Sequence, residues 1–126
     1  MHIALLAPLP PEQNGIADYA GHLKNALQDL GVHVSTPLAG IGNDLDKAVQ
    51  RVAETDWQGI DLVHAEIGGG RLAEFHALRA LRQRFPQLPL TATVHDPERL
   101  VWRRAKLPWP LSLASSLPSP VNVMKP

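Results

Sequence analysis

Short apolar runs alternate with amphipathic segments along the first three quarters of this chain. The apolar runs have the length of single strands and lie at residues 2–7, 32–37, 59–66 and 88–96. Between them leucine and alanine recur at three- and four-residue spacing, which predicts helices at residues 15–31, 44–56 and 71–85. Asp44 is placed to cap the second helix, while Gly31 and Pro86 are placed to end the other two.

This alternation predicts an α/β fold, namely a Rossmann-like parallel sheet with helices on both faces in a single domain. We place the domain at residues 1–107. Residues 108–126 carry five prolines and no clear period, so we predict a proline-rich irregular tail there. In a parallel sheet, ligands bind at the carboxyl ends of the strands. The loops at 8–15, 66–70 and 95–99 each follow a strand, so we expect them to meet at one edge.

Composition and charge narrow the classes of function. The 126 residues have a formal net charge of +0, which gives no overall attraction for a polyanion, and we expect no nucleic-acid partner. The chain contains no cysteine, so it forms neither disulfides nor thiolate zinc sites, in keeping with a cytoplasmic location. No apolar run approaches the roughly 18 residues of a membrane span. The basic and aromatic residues of segment 102–109 leave open contact with a membrane surface, a polyanion or a partner, although a packed surface turn explains the same residues and is favoured by the neutral chain.

The first loop, "APLPPEQNGIADY", combines a stiff and a flexible part. Its prolines restrict the chain as it leaves the strand, and Gly15 permits a positive φ angle or a close approach to the backbone. The N–H groups at the start of the next helix would favour an anion. An ordinary strand-to-helix turn explains the same residues.

The second loop, "HAEIGGG", holds three consecutive glycines before Arg71. Consecutive glycines carry an entropic penalty, so a structural reason is expected. The backbone either accommodates a ligand there or turns tightly into the helix at 71–85. Arg71 is placed to meet a phosphate, although an arginine in this position is also commonly solvated.

The third loop begins with "TVHD", which puts His95 and Asp96 at the end of a buried strand. Histidine suits acid–base chemistry near neutral pH, and Asp96 would orient it or bind a sugar hydroxyl. A capped turn before Pro97 is the structural alternative. A metal site using His64, Glu66 and these two residues is a weaker interpretation, because their spacing is not a recognised ligand pattern.

Together these residues resemble the N-terminal, acceptor-side domain of a GT-B-fold glycosyltransferase of the family 4 type. The resemblance rests on "IALLAPLPPEQNGIADYAGHL", "DLVHAEIGGG" and "LPLTATVHDPERLVWR", and it covers about residues 2 to 110. It implies an enzyme of two domains that transfers a hexosyl group from a nucleotide-sugar to an acceptor hydroxyl. The acceptor would be a sugar or a lipid-linked molecule. It also implies that catalysis needs no metal and no cofactor beyond the nucleotide-sugar substrate.

The resemblance further implies roles for individual residues. The catalytic pair would be His95 and Asp96. The loop that holds the donor phosphates would be formed by Asn14, Gly15 and Ile16. The acceptor would be bound by Tyr19, Glu66, Gly68 and Gly69.

The sequence contains no recognisable donor-binding domain, because residues 111–126 are too short and too rich in proline to supply one. We therefore expect the chain alone not to transfer sugar at a useful rate, and we expect a separate donor-binding domain or subunit as a partner. The helix at 71–85 and segment 100–113 are candidates for exposed apolar surface, which would promote a homodimer. The alternative function is a non-catalytic Rossmann-like binding or protein-interaction module. A small independent enzyme using His95 and Asp96 is a third interpretation.

Overall fold

The computed structural model describes residues 1–68, 70–95 and 122–124. Helices and strands alternate along them as the sequence predicts. The strands are β1 (His2–Leu6), β2 (His33–Ser35), β3 (Leu62–Ile67), β4 (Leu90–Val94) and β5 (Asn122–Met124). The helices are α1 (Gly15–Asp29), α2 (Leu45–Glu54) and α3 (Ala73–Arg84).

The strands form one all-parallel sheet in the order β2-β1-β3-β4-β5. The chain leaves β1 towards β2 and then returns past β1 to β3, so the direction of winding reverses between β1 and β3. In doubly wound sheets of this order, the crevice at the carboxyl ends of those two strands is where ligands bind.

Helices cover both faces of the sheet, as predicted. Alternate side chains of β1 belong to two separate clusters. Ala4 and Leu6 pack in the main core, which also contains buried residues of α2 and α3. Leu5 and Ala7 face the other way and pack with Ala20 of α1. This period-two division is the pattern expected of a strand buried on both faces. The predicted Rossmann-like α/β fold is therefore confirmed.

The segment 108–126 differs from its predicted form at one place. Residues Asn122–Met124 form β5, which pairs with β4 in parallel and places Asn122 beside Thr91. A strand of three residues between prolines is too short to show a hydrophobic period, so the sequence pattern gave no indication of it. The other residues of the predicted tail lie outside the described ranges.

Helix α3 does not present the apolar surface suggested for dimerisation. Its apolar side chains, including Phe75, Leu78 and Leu81, are buried in the main core. Segment 100–113 lies outside the described residues, and a homodimer remains a prediction. Among the residues described here, no helix has both the length and the apolar character needed to cross a membrane.

All three described helices begin with a side-chain cap; the cap of α2 is Asp44, as predicted, and accepts from the N–H of Lys47 at 3.0 Å. The caps of α1 and α3 differ in origin. In α1 the cap is local, since Asn14 Oδ1 accepts from the N–H of Ala17 at 2.7 Å. In α3 it comes from a distant loop, because Asn43 Oδ1 accepts from the N–H groups of Leu72 and Ala73 at 2.9 and 3.1 Å. Capping of this kind stabilises a helix by about 1 kcal/mol. Asn43 thereby fixes loop 38–43 next to the start of α3.

Candidate functional site

The structure brings most of the predicted site residues to the carboxyl edge of β1, β3 and β4. His95 directly follows β4, and its N–H donates to the carbonyl of Ile67 at 2.7 Å, which extends the pairing of β4 with β3. Tyr19 reaches the same place from α1. Gly69 and Asp96, which the sequence also placed here, lie outside the described residues.

A buried carboxylate joins two histidines at this edge. Glu66 is fully buried. Its Oε2 lies 2.7 Å from Nε2 of His64, and its Oε1 lies 3.2 Å from Nε2 of His95. Burying a carboxylate is unfavourable unless it is hydrogen-bonded, and here both oxygens have an imidazole partner. With both oxygens bound in this way, Glu66 fixes the orientation of the rings of His64 and His95.

The hydrogen bonds fix which ring nitrogens carry protons. A carboxylate only accepts hydrogen bonds, so both histidines donate to Glu66 from Nε2. In a neutral imidazole this leaves Nδ1 as an acceptor. For His64 that acceptor faces the hydroxyl of Thr91 at 2.8 Å, and Thr93 Oγ1 lies 3.1 Å from its Nε2. For His95 the same tautomer makes Nδ1 the nitrogen that can accept a proton or a hydrogen bond from a ligand.

Tyr19 packs against the imidazole ring of His95. Its ring meets that of His95 edge-on, with the centroids 5.3 Å apart and the planes at 77°. Tyr19 is 41% exposed, whereas the side chain of His95 is 14% exposed. An aromatic ring that is partly open to solvent beside a histidine is a surface on which the apolar face of a sugar ring can pack.

Gly68 is required by the position of His95. Its φ of +141° lies in a region that side chains rarely adopt. A β-carbon added there would stand 2.9 Å from Cβ of His95 and 3.1 Å from its carbonyl carbon. Close contact with the backbone of His95 therefore requires Gly68, a reason that differs from the two suggested by the sequence.

The loop predicted to hold donor phosphates leads into the first turn of α1. Gly15 does not have a positive φ, and a β-carbon added there would meet nothing within 4 Å. Neither backbone strain nor packing explains the glycine, so open space for a ligand remains a reason for it. The side-chain oxygen of Asn14 accepts a hydrogen bond from the N–H of Ala17, and Asp18 adds a negative charge to the same turn.

A second polar cluster centres on Arg71. Nε and one terminal nitrogen of its guanidinium donate to the two carboxylate oxygens of Glu74, each at 3.1 Å. The other terminal nitrogen donates to Glu12, and the Gly42 carbonyl is a further acceptor. Burial raises the pKa of Glu74, against the opposing effect of Arg71 and with a further contribution from Glu12. The cluster links the loops after β1 and β3 to loop 38–43.

The raised pKa of Glu74 predicts how stability depends on pH. The carboxyl binds its proton more tightly in the folded chain than in the unfolded chain, where the pKa is near the ordinary 4.5. The stability that Glu74 contributes is therefore complete below pH 4.5 and falls as pH rises through its folded-state pKa. We expect the unfolding free energy of wild type minus that of Glu74→Gln to decrease above pH 4.5. Urea unfolding of both proteins at several pH values measures this difference, and a constant or rising difference would contradict the prediction.

No group of three or more histidine, aspartate or glutamate side chains within residues 1–68 and 70–95 has an arrangement that could hold a metal ion. The weaker metal interpretation named His64, Glu66, His95 and Asp96. Each of the two histidines is hydrogen-bonded to Glu66, and Asp96 lies outside the described residues.

No role was assigned from the sequence to Thr91, Thr93, Glu12 and Glu74, which belong to the two clusters. One signal was present: polar residues recur at every second position of two otherwise apolar strands. These residues are His64 and Glu66 on β3, followed by Thr91, Thr93 and His95 on and after β4. Such alternation places all of them on one face of the sheet. Glu74 lies three residues after Arg71, a spacing at which helical side chains can pair, but for Glu12 no local pattern exists, because it lies in a distant segment.

Comparison of the chain with protein-family models, with curated protein sequences and with solved structures gives no match.

Proposed function

We propose that this chain is the acceptor-binding half of a nucleotide-sugar-dependent glycosyltransferase, which transfers a hexosyl group to an acceptor hydroxyl. One observation carries the proposal. Tyr19 and His95, named from two separate sequence motifs, are in ring contact at the carboxyl edge of a doubly wound sheet. A third predicted residue, Glu66, orients His95 by accepting a hydrogen bond from its Nε2.

The proposed roles follow from this geometry. Tyr19 packs against the acceptor sugar, and His95 receives a hydrogen bond from its hydroxyl at Nδ1, because Glu66 holds the proton at Nε2. Glu66 is a positioning residue for His95. Asp96 is the proposed partner of His95 in catalysis and lies outside the described residues.

The donor phosphates are proposed to lie near the start of α1, at Asn14, Gly15 and Ile16. The open space at Gly15 and the direction of the helix dipole support this placement. Preorganised positive charge that stabilises the departing nucleotide is usually a large part of catalysis. Arg71, the positive charge next to this loop, is already paired with Glu12 and Glu74. We therefore propose that a separate donor-binding domain or subunit completes the enzyme, and that the complex acts in the cytoplasm, with or without attachment to a membrane surface.

Binding measurements test the proposal. We expect the purified chain to bind hexose-terminated disaccharides in calorimetry and His95→Ala to weaken that binding about tenfold, through loss of a hydrogen bond made inside the site. His22→Ala, an exposed substitution on α1, serves as the control and should leave affinity unchanged. With a nucleotide-sugar added, the chain alone should yield no product.

Two results would contradict the proposal: no disaccharide in a broad panel binds, or binding occurs and is equally strong in His95→Ala. A partner protein bound independently of His95 would instead support the interaction-module alternative.

A further inference from the structure

The guanidinium of Arg71 has two carboxylates for one positive charge. Glu74 binds it through two parallel hydrogen bonds, and Glu12 binds the remaining terminal nitrogen. The side chain of Arg71 is 10% exposed and that of Glu74 is 1% exposed. The pair of Arg71 with Glu74 alone is neutral and almost entirely buried, so Glu12 brings the surplus negative charge.

Glu12 differs from Glu74 in its access to solvent. Its side chain is 34% exposed, and it lies in the loop that leads to Gly15. An ion pair with a partly exposed carboxylate is weaker than a fully buried one, because the carboxylate regains its hydration when it leaves. Glu12 can therefore leave Arg71 at little cost, whereas removing Glu74 would leave a buried arginine unpaired.

The position of this pair coincides with the crevice between β1 and β3. Glu12 follows β1 and Arg71 follows β3, so the ion pair spans the point where the direction of winding reverses. The planar fork of an arginine binds carboxylates and phosphates in the same geometry. The carboxylate of Glu12 therefore occupies the position on Arg71 that an anionic group of a ligand would take.

We propose that Arg71 recognises an anionic group, a phosphate or a carboxylate, on the acceptor, and that Glu12 is an internal carboxylate that this group displaces. The identification of the ligand as an acceptor rests on the proposed function. The displacement itself does not.

The direction in which Glu12→Gln changes phosphate affinity distinguishes displacement of Glu12 by a ligand from a purely structural role of the ion pair. If Glu12 competes with the ligand, Glu12→Gln removes the competing charge and inorganic phosphate binds more tightly, by up to about fivefold. If Glu12 only holds the loops together, the same substitution leaves phosphate binding unchanged or weakens it. Glu54→Gln is the matched control, since Glu54 is an exposed carboxylate bound to Gln50 on α2.

A second variant tests the arginine without removing its charge. Arg71→Lys retains the positive charge and loses the fork, so phosphate binding should weaken about tenfold. The experiment is a phosphate titration of the four proteins at constant ionic strength, followed by calorimetry or by amide chemical shifts. Unchanged or weaker binding in Glu12→Gln, or unchanged binding in Arg71→Lys, overturns the proposal.

The source of the anion is tested in the same proteins with glucose 6-phosphate and with a nucleoside diphosphate. We expect Glu12→Gln to tighten binding of the sugar phosphate more than binding of the nucleotide. The opposite order would overturn the assignment to the acceptor. Failure of the proposed function is distinguishable from failure of this proposal. In that case no disaccharide binds to the chain, while Glu12→Gln still increases the affinity for inorganic phosphate.

Discussion

Replacing Gly68 by alanine is expected to lower the free energy of unfolding by about 2–6 kcal/mol. The positive φ alone accounts for about 1–3 kcal/mol, and forcing a methyl group into a filled space adds about 1–3 kcal/mol. The neighbour is the backbone of His95, which cannot rotate away as a flexible side chain would. Since a domain of this size is stable by about 5–15 kcal/mol in all, the loss is large.

Two other glycines separate the causes of that loss. Gly31 has a φ of +84° with nothing within 4 Å, so Gly31→Ala measures backbone strain alone, about 1–2 kcal/mol. Gly15→Ala, at an open position without a positive φ, should leave stability unchanged or slightly higher. The three proteins are compared by urea unfolding. Equal losses at Gly68 and Gly31 would show that contact with His95 contributes nothing.

The second large effect is expected at Glu66. Glu66→Ala removes the acceptor of two buried imidazole N–H groups and leaves a cavity, which should destabilise the fold by about 3 kcal/mol or more. Glu66→Gln keeps the shape but has only one oxygen, so one histidine loses its acceptor and about 1–3 kcal/mol is lost. An exposed substitution such as Glu54→Gln should stay within about 0.5 kcal/mol.

A spectroscopic signature separates the orienting role of Glu66 from its effect on stability. In wild type, long-range proton–nitrogen spectra of the imidazoles should show His95 protonated at Nε2 with Nδ1 bare. In Glu66→Ala this preference should be lost, whereas the ring of exposed His22 should be unaffected. Protonation of His95 at Nδ1 in the neutral wild-type ring would contradict the hydrogen-bond scheme at Glu66.

The order of strands and helices followed from the sequence because each element carries its own period. The apolar run of β1 and the three- and four-residue spacing of the helices are local signals, and Asp44 and Gly31 act as the helix boundaries they were predicted to be. Strand β5 was missed because three residues between prolines show no period. Local periodicity thus predicts the longer helices and strands. It does not predict a short strand such as β5, which forms only through its pairing with a neighbouring strand of the sheet.

The location of the candidate site could be predicted from the sequence, but its hydrogen bonds and ion pairs could be predicted only in part. Parallel strands place their carboxyl ends together, so the meeting of the loops followed from the fold class. That Glu66 bridges two histidines depends on the register of β3 against β4, which a single sequence does not reveal. The partners of Arg71 come from two distant loops and from α3, and Asn43 caps α3 from a distance of about thirty residues along the chain. Such contacts are decided by tertiary packing rather than by sequence neighbours.

The central claim is that the carboxyl edge around His95 is a sugar-binding surface. Chemical-shift mapping of the isotope-labelled chain during titration with hexose-terminated disaccharides tests it most directly. The account predicts the largest changes at Tyr19, Gly68 and His95. Changes confined to the opposite edge of the sheet, near His33 and Asp61, or a disaccharide panel that produces no changes, would contradict it.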